Sequence, residues 1–165
     1  MHPDIRPARR SDLEAVEKLL AASKLPVEGV AASLDGFIVA ETVSGLAGVA
    51  GLERCGRDAL LRSVAVAEDW RGRGVGNALV TRLISNAQQD GLERLYLLTT
   101  TADRWFPAFG FTRITRDEAP DAVRATSEFR DICPSSAVVM VRGVTRTDVT
   151  AAGSTSSPAS SKKNN

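Results

Sequence analysis

Apolar positions recur along this chain with two periods, and the switch between them predicts its elements. Leu13, Val16, Leu19 and Leu20 share one face at helical spacing, which predicts an amphipathic helix over residues 12–22. Ser11 and Glu14 have the spacing of a capping box, with Ser11 as N-cap. Pro26 breaks the segment, and a second short helix is expected from Val27 to Leu34, with Gly29 working against it. Ahead of the first helix, Ile5 to Ala8 reads as a short strand that Pro7 places at an edge or strand end.

The period then shortens. Phe37 to Glu41 and Leu46 to Glu53 are strand-like runs across the turn signal Ser44-Gly45. After a turn at Gly56-Arg57-Asp58 comes Ala59 to Ala67, the longest β-like run, apolar apart from Arg62 and Ser63, which belongs in the middle of a sheet. Three strands joined by tight turns predict an antiparallel meander. Val75, Leu79, Val80, Leu83, Ile84 and Ala87 return to a 3.6-residue period, predicting a helix to Asp90 with Gly91 just past its end. Arg94 to Thr99 is the next strand, and strand–helix–strand reads as a right-handed parallel crossover. A short aromatic helix from Asp103 to Phe109, ended by Gly110, precedes a strand from Phe111 to Ile114. A helical stretch within Pro120 to Arg130 and a last strand from Ser136 to Val141 complete the pattern. From Thr145 the chain offers almost nothing to bury, so residues 1–144 are expected to form one domain and 145–165 a disordered tail.

Composition narrows the class. The 165 residues are 43% hydrophobic and 25% charged with a formal net charge of +1, a balance that argues against bulk nucleic-acid binding. No apolar run approaches the roughly 20 residues of a membrane span, and Met1 to Arg6 lacks the apolar core of a signal peptide. Cys55 and Cys133 are the two cysteines, too few for a disulfide framework, so the expected setting is a reducing one, the cytoplasm.

The stretch with the clearest chemistry is Arg71-Gly72-Arg73-Gly74-Val75-Gly76, between the apolar strand and the long helix. A strand that delivers a glycine-rich turn to a helix N-terminus forms an anion cradle, because backbone N–H groups converge there with the positive end of the helix dipole behind them. Arg71 and Arg73 add positive charge, and a pyrophosphate is the expected ligand.

Val64-Ala65-Val66, four spacers and this loop resemble the acyl-coenzyme A signature of the GCN5-related N-acetyltransferase (GNAT) superfamily. Ala102 to Phe111 is similar to that family's Ala-x-x-Phe-Tyr-x-x-x-Gly-Phe helix. With the strand order, the resemblance covers roughly residues 4–142. It implies an α+β GNAT fold: a mixed, mostly antiparallel sheet of six to seven strands, splayed at the fourth and fifth, flanked by about four helices. It also implies that acetyl-CoA lies with its pantetheine arm on Val64, Ala65 and Val66. Its pyrophosphate would lie on Arg71, Gly72, Arg73, Gly74, Val75 and Gly76, with Asn77 in the first helical turn. The tyrosine that serves the family as general acid would fall at position 106, where this chain has Phe106, a residue able to pack against the cofactor but not to donate a proton. Tyr96, the single tyrosine, lies inside a strand. Leu97 to Ala102, Arg124 to Thr126, Glu128 to Arg130 and Cys133 to Ala137 further resemble the ArsN-type GNAT proteins of arsenic-resistance operons.

Several residues carry two readings each. Cys133, near Arg124 and Arg130, is a low-pKa thiol able to meet an oxyanion or arsenical, or a small buried hydrophobe. Cys55 is incidental, or the partner of Cys133. Arg62 reaches an anion in a substrate cleft, or is exposed on one sheet face. Glu53 is a general base, or a solvated hairpin residue. Trp105 reads as core, and Thr99 to Thr101 as cleft hydroxyls or as a cap. His2 alone gives no metal site. The leading expectation is an acetyl-CoA-dependent N-acetyltransferase acting on a small molecule in arsenic resistance, with a homodimer as a family-level expectation. The alternatives are a thiol-dependent arsenate reductase using Cys133, with coenzyme A or an ADP-type diphosphate in the loop, and a non-catalytic acyl-CoA-binding sensor.

Overall fold

The computed structural model describes residues 2–131 and 137–145. In chain order the elements are β1 (Asp4–Pro7), α1 (Leu13–Ala22), β2 (Phe37–Thr42), β3 (Gly45–Cys55), β4 (Asp58–Val66), α2 (Val75–Gln89), β5 (Arg94–Thr99), β6 (Thr112–Ile114), α3 (Asp121–Arg124), α4 (Ser127–Asp131) and β7 (Val138–Gly143). The seven strands form one sheet in the order β1-β2-β3-β4-β5-β7-β6. All pairs are antiparallel except β4 with β5, which are parallel. The long apolar run therefore holds the centre of the sheet, as its composition predicts.

Alternation along the strands sorts the core onto two faces. Leu61, Leu95 and Leu97 meet Leu79, Val80 and Leu83 of α2 on one side. On the other, Val39, Val49 and Ala65 pack with Val16 and Leu20 of α1, while Leu60, Tyr96 and Val139 pack with Val123 and Phe129 of α3 and α4. Gly48 sets how closely α2 approaches the sheet. A Cβ there would stand 2.9 Å from Leu79 Cδ1 and 3.0 Å from both Val75 Cγ1 and the Ala65 carbonyl oxygen.

Three local expectations are corrected, and a fourth, the helical stretch within 120–130, is present in divided form. The box between Ser11 and Glu14 is replaced by Asp12, whose carboxylate accepts from the Arg9 N–H at 2.7 Å and from both terminal nitrogens of Arg6 at 2.8 and 3.0 Å. A charged acceptor already held by a guanidinium outcompetes a serine hydroxyl. No α-helix spans 27–34: Gly29 takes φ +79, which a right-handed helix cannot contain, and only a 3-10 turn at Leu34–Gly36 forms. The aromatic helix shrinks to the 3-10 turn Phe106–Phe109, with Pro107 in its first positions and Gly110 closing it at φ +91. The stretch 120–130 divides into two helices at Thr126, whose hydroxyl donates to the Val123 carbonyl at 2.7 Å and accepts from the Phe129 N–H at 3.5 Å. Ser136 and the tail beyond Thr145 lie outside the described residues.

Overpacking at the α2–sheet contact is expected to destabilise the domain. Gly48→Ala should lower unfolding free energy by about 1–3 kcal/mol, read as a lower denaturant midpoint at unchanged m.

Candidate functional site

The parallel pairing of β4 and β5 is short. Asp58, Ala59 and Leu60 pair with Arg94, Leu95 and Tyr96, and there it stops. Beyond it β4 stays with β3 and β5 with β7, so the two central strands diverge. A β-bulge accompanies the divergence: Val49 pairs with Ala65 but Gly51 with Arg62, so one residue of β3 opposes both Ser63 and Val64. Ser63 takes φ +62 to do this. The extra residue shifts the alternation, so Arg62 and Ala65 share the α1 face while Val64 and Val66 pack toward α2.

A cavity of about 1010 Å³ opens in this gap. Gly72, Gly74, Gly76 and Asn77 line it, as do Val64 and Val66 along β4, and Arg62 and Glu128. The loop side suits an anion. Gly72 and Gly74 have φ +78 and +85, and a Cβ on either would meet nothing within 4 Å, so the space above them is open. The first N–H groups of α2 have no intrahelical acceptor, and its first turn holds no acidic residue. Arg71 Nε donates to the Val66 carbonyl at 3.1 Å, tying the loop to the end of β4, and the Arg73 guanidinium stacks 4.9 Å from the Trp70 ring centroid. These residues fit a diphosphate. Of the expected cofactor residues, Val64, Val66, Arg71, Gly72, Gly74, Val75, Gly76, Asn77 and Phe106 line the cavity, whereas Ala65 and Arg73 are not among its lining residues. Trp105 and Phe106 meet edge to face at 4.9 Å and wall the same space.

An ion cluster occupies the sheet face opposite α2. The Arg62 side chain is fully buried and bonds Glu53 Oε1 from Nη1 at 3.1 Å, with Glu128 Oε2 at 3.6 Å from Nη2. Nη2 also donates to the Glu28 carbonyl at 2.7 Å and Nε to the Ser63 hydroxyl at 3.0 Å. Gly29 allows this approach, since a Cβ there would lie 3.1 Å from Arg62 Nη1. Burial pushes the Glu128 carboxyl above the ordinary glutamate range; Arg62 pulls it partly back, and the like charge of Glu53 pushes it up further. Arg62 is therefore neither exposed nor free, and Glu53, its tighter partner, is not among the residues lining the cavity.

Of the other candidates, Cys55 and Tyr96 separate from this site. Cys133 lies outside the described residues. Cys55 ends β3 away from the cavity, its thiol pushed up to about 11 by burial and by the charges of Glu53 and Asp58. Tyr96 is buried among Leu60, Val123 and Phe129 and does not line the cavity. Thr99, Thr100 and Thr101 do line the cavity, and the Thr99 hydroxyl also accepts from the Thr101 and Ala102 N–H groups at 3.3 and 2.8 Å, in the manner of a cap. Two charged lining residues, Glu128 and Lys24, carried no functional reading in the sequence. Glu128 looks like an ordinary acidic residue in a helix first turn, and nothing in its spacing signals burial. Lys24 follows α1 with φ +60; the Lys24 and Leu25 N–H groups close the helix on the Ala21 and Leu20 carbonyls at 3.0 and 2.9 Å. A lysine in that left-handed position, where glycine is usual, is not anticipated from pattern.

Comparison with known proteins agrees with this geometry. Residues 33–113 match the family model described as an acetyltransferase (GNAT) domain. The chain carries a GNAT acetyltransferase domain. The GNAT domain is similar in fold to Rv2747 of Mycobacterium tuberculosis, solved in complex with CoA and NLQ, with a TM-score of 0.72 and 24% identity, covering 86% of this chain and 99% of that one. It is likewise similar to N-acetylglutamate synthase of Neisseria gonorrhoeae, complexed with coenzyme A and N-acetyl-glutamate, with a TM-score of 0.75 and 24% identity over 87% of this chain and 35% of that one. In sequence, 59 residues are 39% identical to the amino-acid acetyltransferase of Escherichia coli K12, covering 36% of this chain. The match spans only 13% of that relative's length.

The glycine loop of the GNAT domain should be sensitive to backbone conformation rather than to crowding. Gly74→Ala is expected to cost about 1–2 kcal/mol through the left-handed φ and to weaken binding of ADP, used as a diphosphate probe, in titration calorimetry. Unchanged ADP affinity would count against the loop as the diphosphate site.

Proposed function

We propose that this domain transfers the acetyl group of acetyl-CoA to the amine of a small molecule that also carries an acid group, with amino acids as the acceptor class. One observation carries the reading: a single cavity, opened by the divergence of β4 and β5, is lined both by the glycine loop and by the Arg62–Glu128 cluster. When bound, acetyl-CoA supplies an acetyl thioester. The chain's own residues then have distinct tasks. The N–H groups of the 71–77 loop hold the diphosphate. The edge of β4 that faces the gap, at Val64 and Val66, has no strand partner there and suits an extended arm, as sheet edges accept extended ligands. Phe106 packs as an apolar wall and has no proton to give. Lys24, exposed at the same cavity and without a charge partner among the described residues, suits the acceptor's acid group. The relatives' names, amino-acid acetyltransferase and N-acetylglutamate synthase, support that class.

The arsenic-resistance setting rests on the resemblance of the segments at 97–102 and 124–137, and the absence of a tyrosine at position 106 favours a specialised role. Cys133, on which a thiol-dependent arsenate reductase would depend, lies outside the described residues. The raised pKa of Cys55 leaves it a poor thiolate. A cytoplasmic setting accords with the low cysteine count, and among the described residues no helix is long and apolar enough to cross a membrane.

Thiol release from acetyl-CoA across a panel of L-amino acids tests the main reading; no release above the hydrolysis rate with any of them would remove it. With an acidic acceptor, Lys24→Ala should raise KM roughly tenfold, the worth of one charge-assisted contact, and leave kcat nearly unchanged. Expression in an arsenic-sensitive host tests the setting, which fails if arsenate and arsenite tolerance do not move.

A further inference from the structure

Acetyl transfer to an amine requires a proton acceptor, because the nitrogen arrives as an ammonium and attacks only through its lone pair. Among the described residues lining the cavity, Glu128 is the single carboxylate, and histidine, cysteine and tyrosine are absent from them. Glu53, the base suggested by strand position alone, is held at 3.1 Å by Arg62 Nη1 and does not line the cavity. Glu128 is held more loosely, at 3.6 Å from Arg62 Nη2, with its side chain only 7% exposed.

We propose that Glu128 is the base that takes the acceptor's proton, with Arg62 as the residue that positions it. This rests on the acetyl-transfer reading above. The charge count supports it: one guanidinium stands between two carboxylates, so the cluster carries a net negative charge that an incoming ammonium balances. The groups facing Glu128 are Arg62 from β4 and Glu53 from β3, and Lys24 lines the same cavity. Burial keeps the carboxyl's affinity for a proton above that of an ordinary glutamate, which brings it closer to that of an amine and favours transfer. The nitrogen gives up two protons in all. One passes to the Glu128 carboxylate, freeing the lone pair that forms the N–C bond as the C–S bond breaks and sulfur leaves with the bonding pair. The other goes to that sulfur through cavity water, since Phe106 offers no hydroxyl. The Glu128 proton then returns to solvent.

The sign of the pH dependence follows. Protonated Glu128 cannot act, so kcat/KM should fall as pH drops through its raised pKa, with an acid limb above the usual glutamate range. The test compares wild type, Glu128→Gln and Glu128→Asp with two acceptors. One is the fastest L-amino acid of the panel; the other is aminooxyacetate, whose nitrogen is already unprotonated at neutral pH. E128Q should lose about 100-fold or more in kcat with the amino acid, exchange the carboxyl's acid limb for a rate that climbs only toward the amine's own pKa, and lose only a few-fold with aminooxyacetate. E128D, with its carboxylate one methylene shorter, should retain the acid limb at a reduced rate, and it serves alone if E128Q does not fold. An equal loss with both acceptors, an acid limb that keeps its wild-type position in E128Q, or one that vanishes in E128D overturns the assignment while leaving acetyl transfer standing. Wild-type protein that acetylates no amine overturns both.

Discussion

The bulge at Ser63 is the constraint on which the rest of this structure depends. A non-glycine residue in the left-handed region costs about 1–2 kcal/mol, and such strain persists only where surrounding contacts over-determine it. Here the contacts are visible. The Ser63 hydroxyl accepts from Arg62 Nε, and the same guanidinium is fixed by Glu53, Glu128 and the Glu28 carbonyl. One added residue reverses the facing of the strand, so Arg62 turns to the α1 side and Val64 and Val66 to the α2 side. With the parallel pairing already over at Leu60 and Tyr96, the middle of the sheet stays open.

That opening joins regions of opposite electrostatic character. At the loop, unpaired N–H groups, the α2 dipole and Arg71 favour negative charge. At the ion cluster, two carboxylates outnumber one guanidinium. A buried arginine without partners would be prohibitively costly, so the loop at Glu28, strand β3 and helix α4 must all converge on Arg62, and their convergence closes the core between α1 and α3–α4. The polar cluster thereby ties together two apolar clusters that share a face but not a helix.

Small residues set the distances. Gly48 lets α2 rest on the sheet, Gly29 lets its loop reach the guanidinium, and Gly51 lies under the Phe37 ring, where a Cβ would come 2.5 Å from the nearest ring carbon. Each is a site where backbone or ring approach, rather than conformational freedom alone, requires the absence of a side chain.

Much of this was legible in the chain itself. The periods of 2 and 3.6 place β2 to β5 and both long helices, because burial on one face writes itself into alternation. The glycine loop announces itself because few other arrangements need glycine at every second position where a strand hands over to a helix. Short elements were less legible: the segments at 27–34 and 103–109 are decided by single residues, Gly29 and Pro107, against their neighbours' preference. The ion cluster lay beyond sequence reasoning. Arg62 is 34 residues from Glu28 and 66 from Glu128 along the chain, and no local period encodes such a meeting. The sequence by itself determined a loop able to hold a diphosphate. Only the tertiary structure decided that Arg62 is a buried support rather than an exposed contact, and that Glu128 rather than Glu53 lines the cavity, because burial and charge pairing are properties of the assembled sheet.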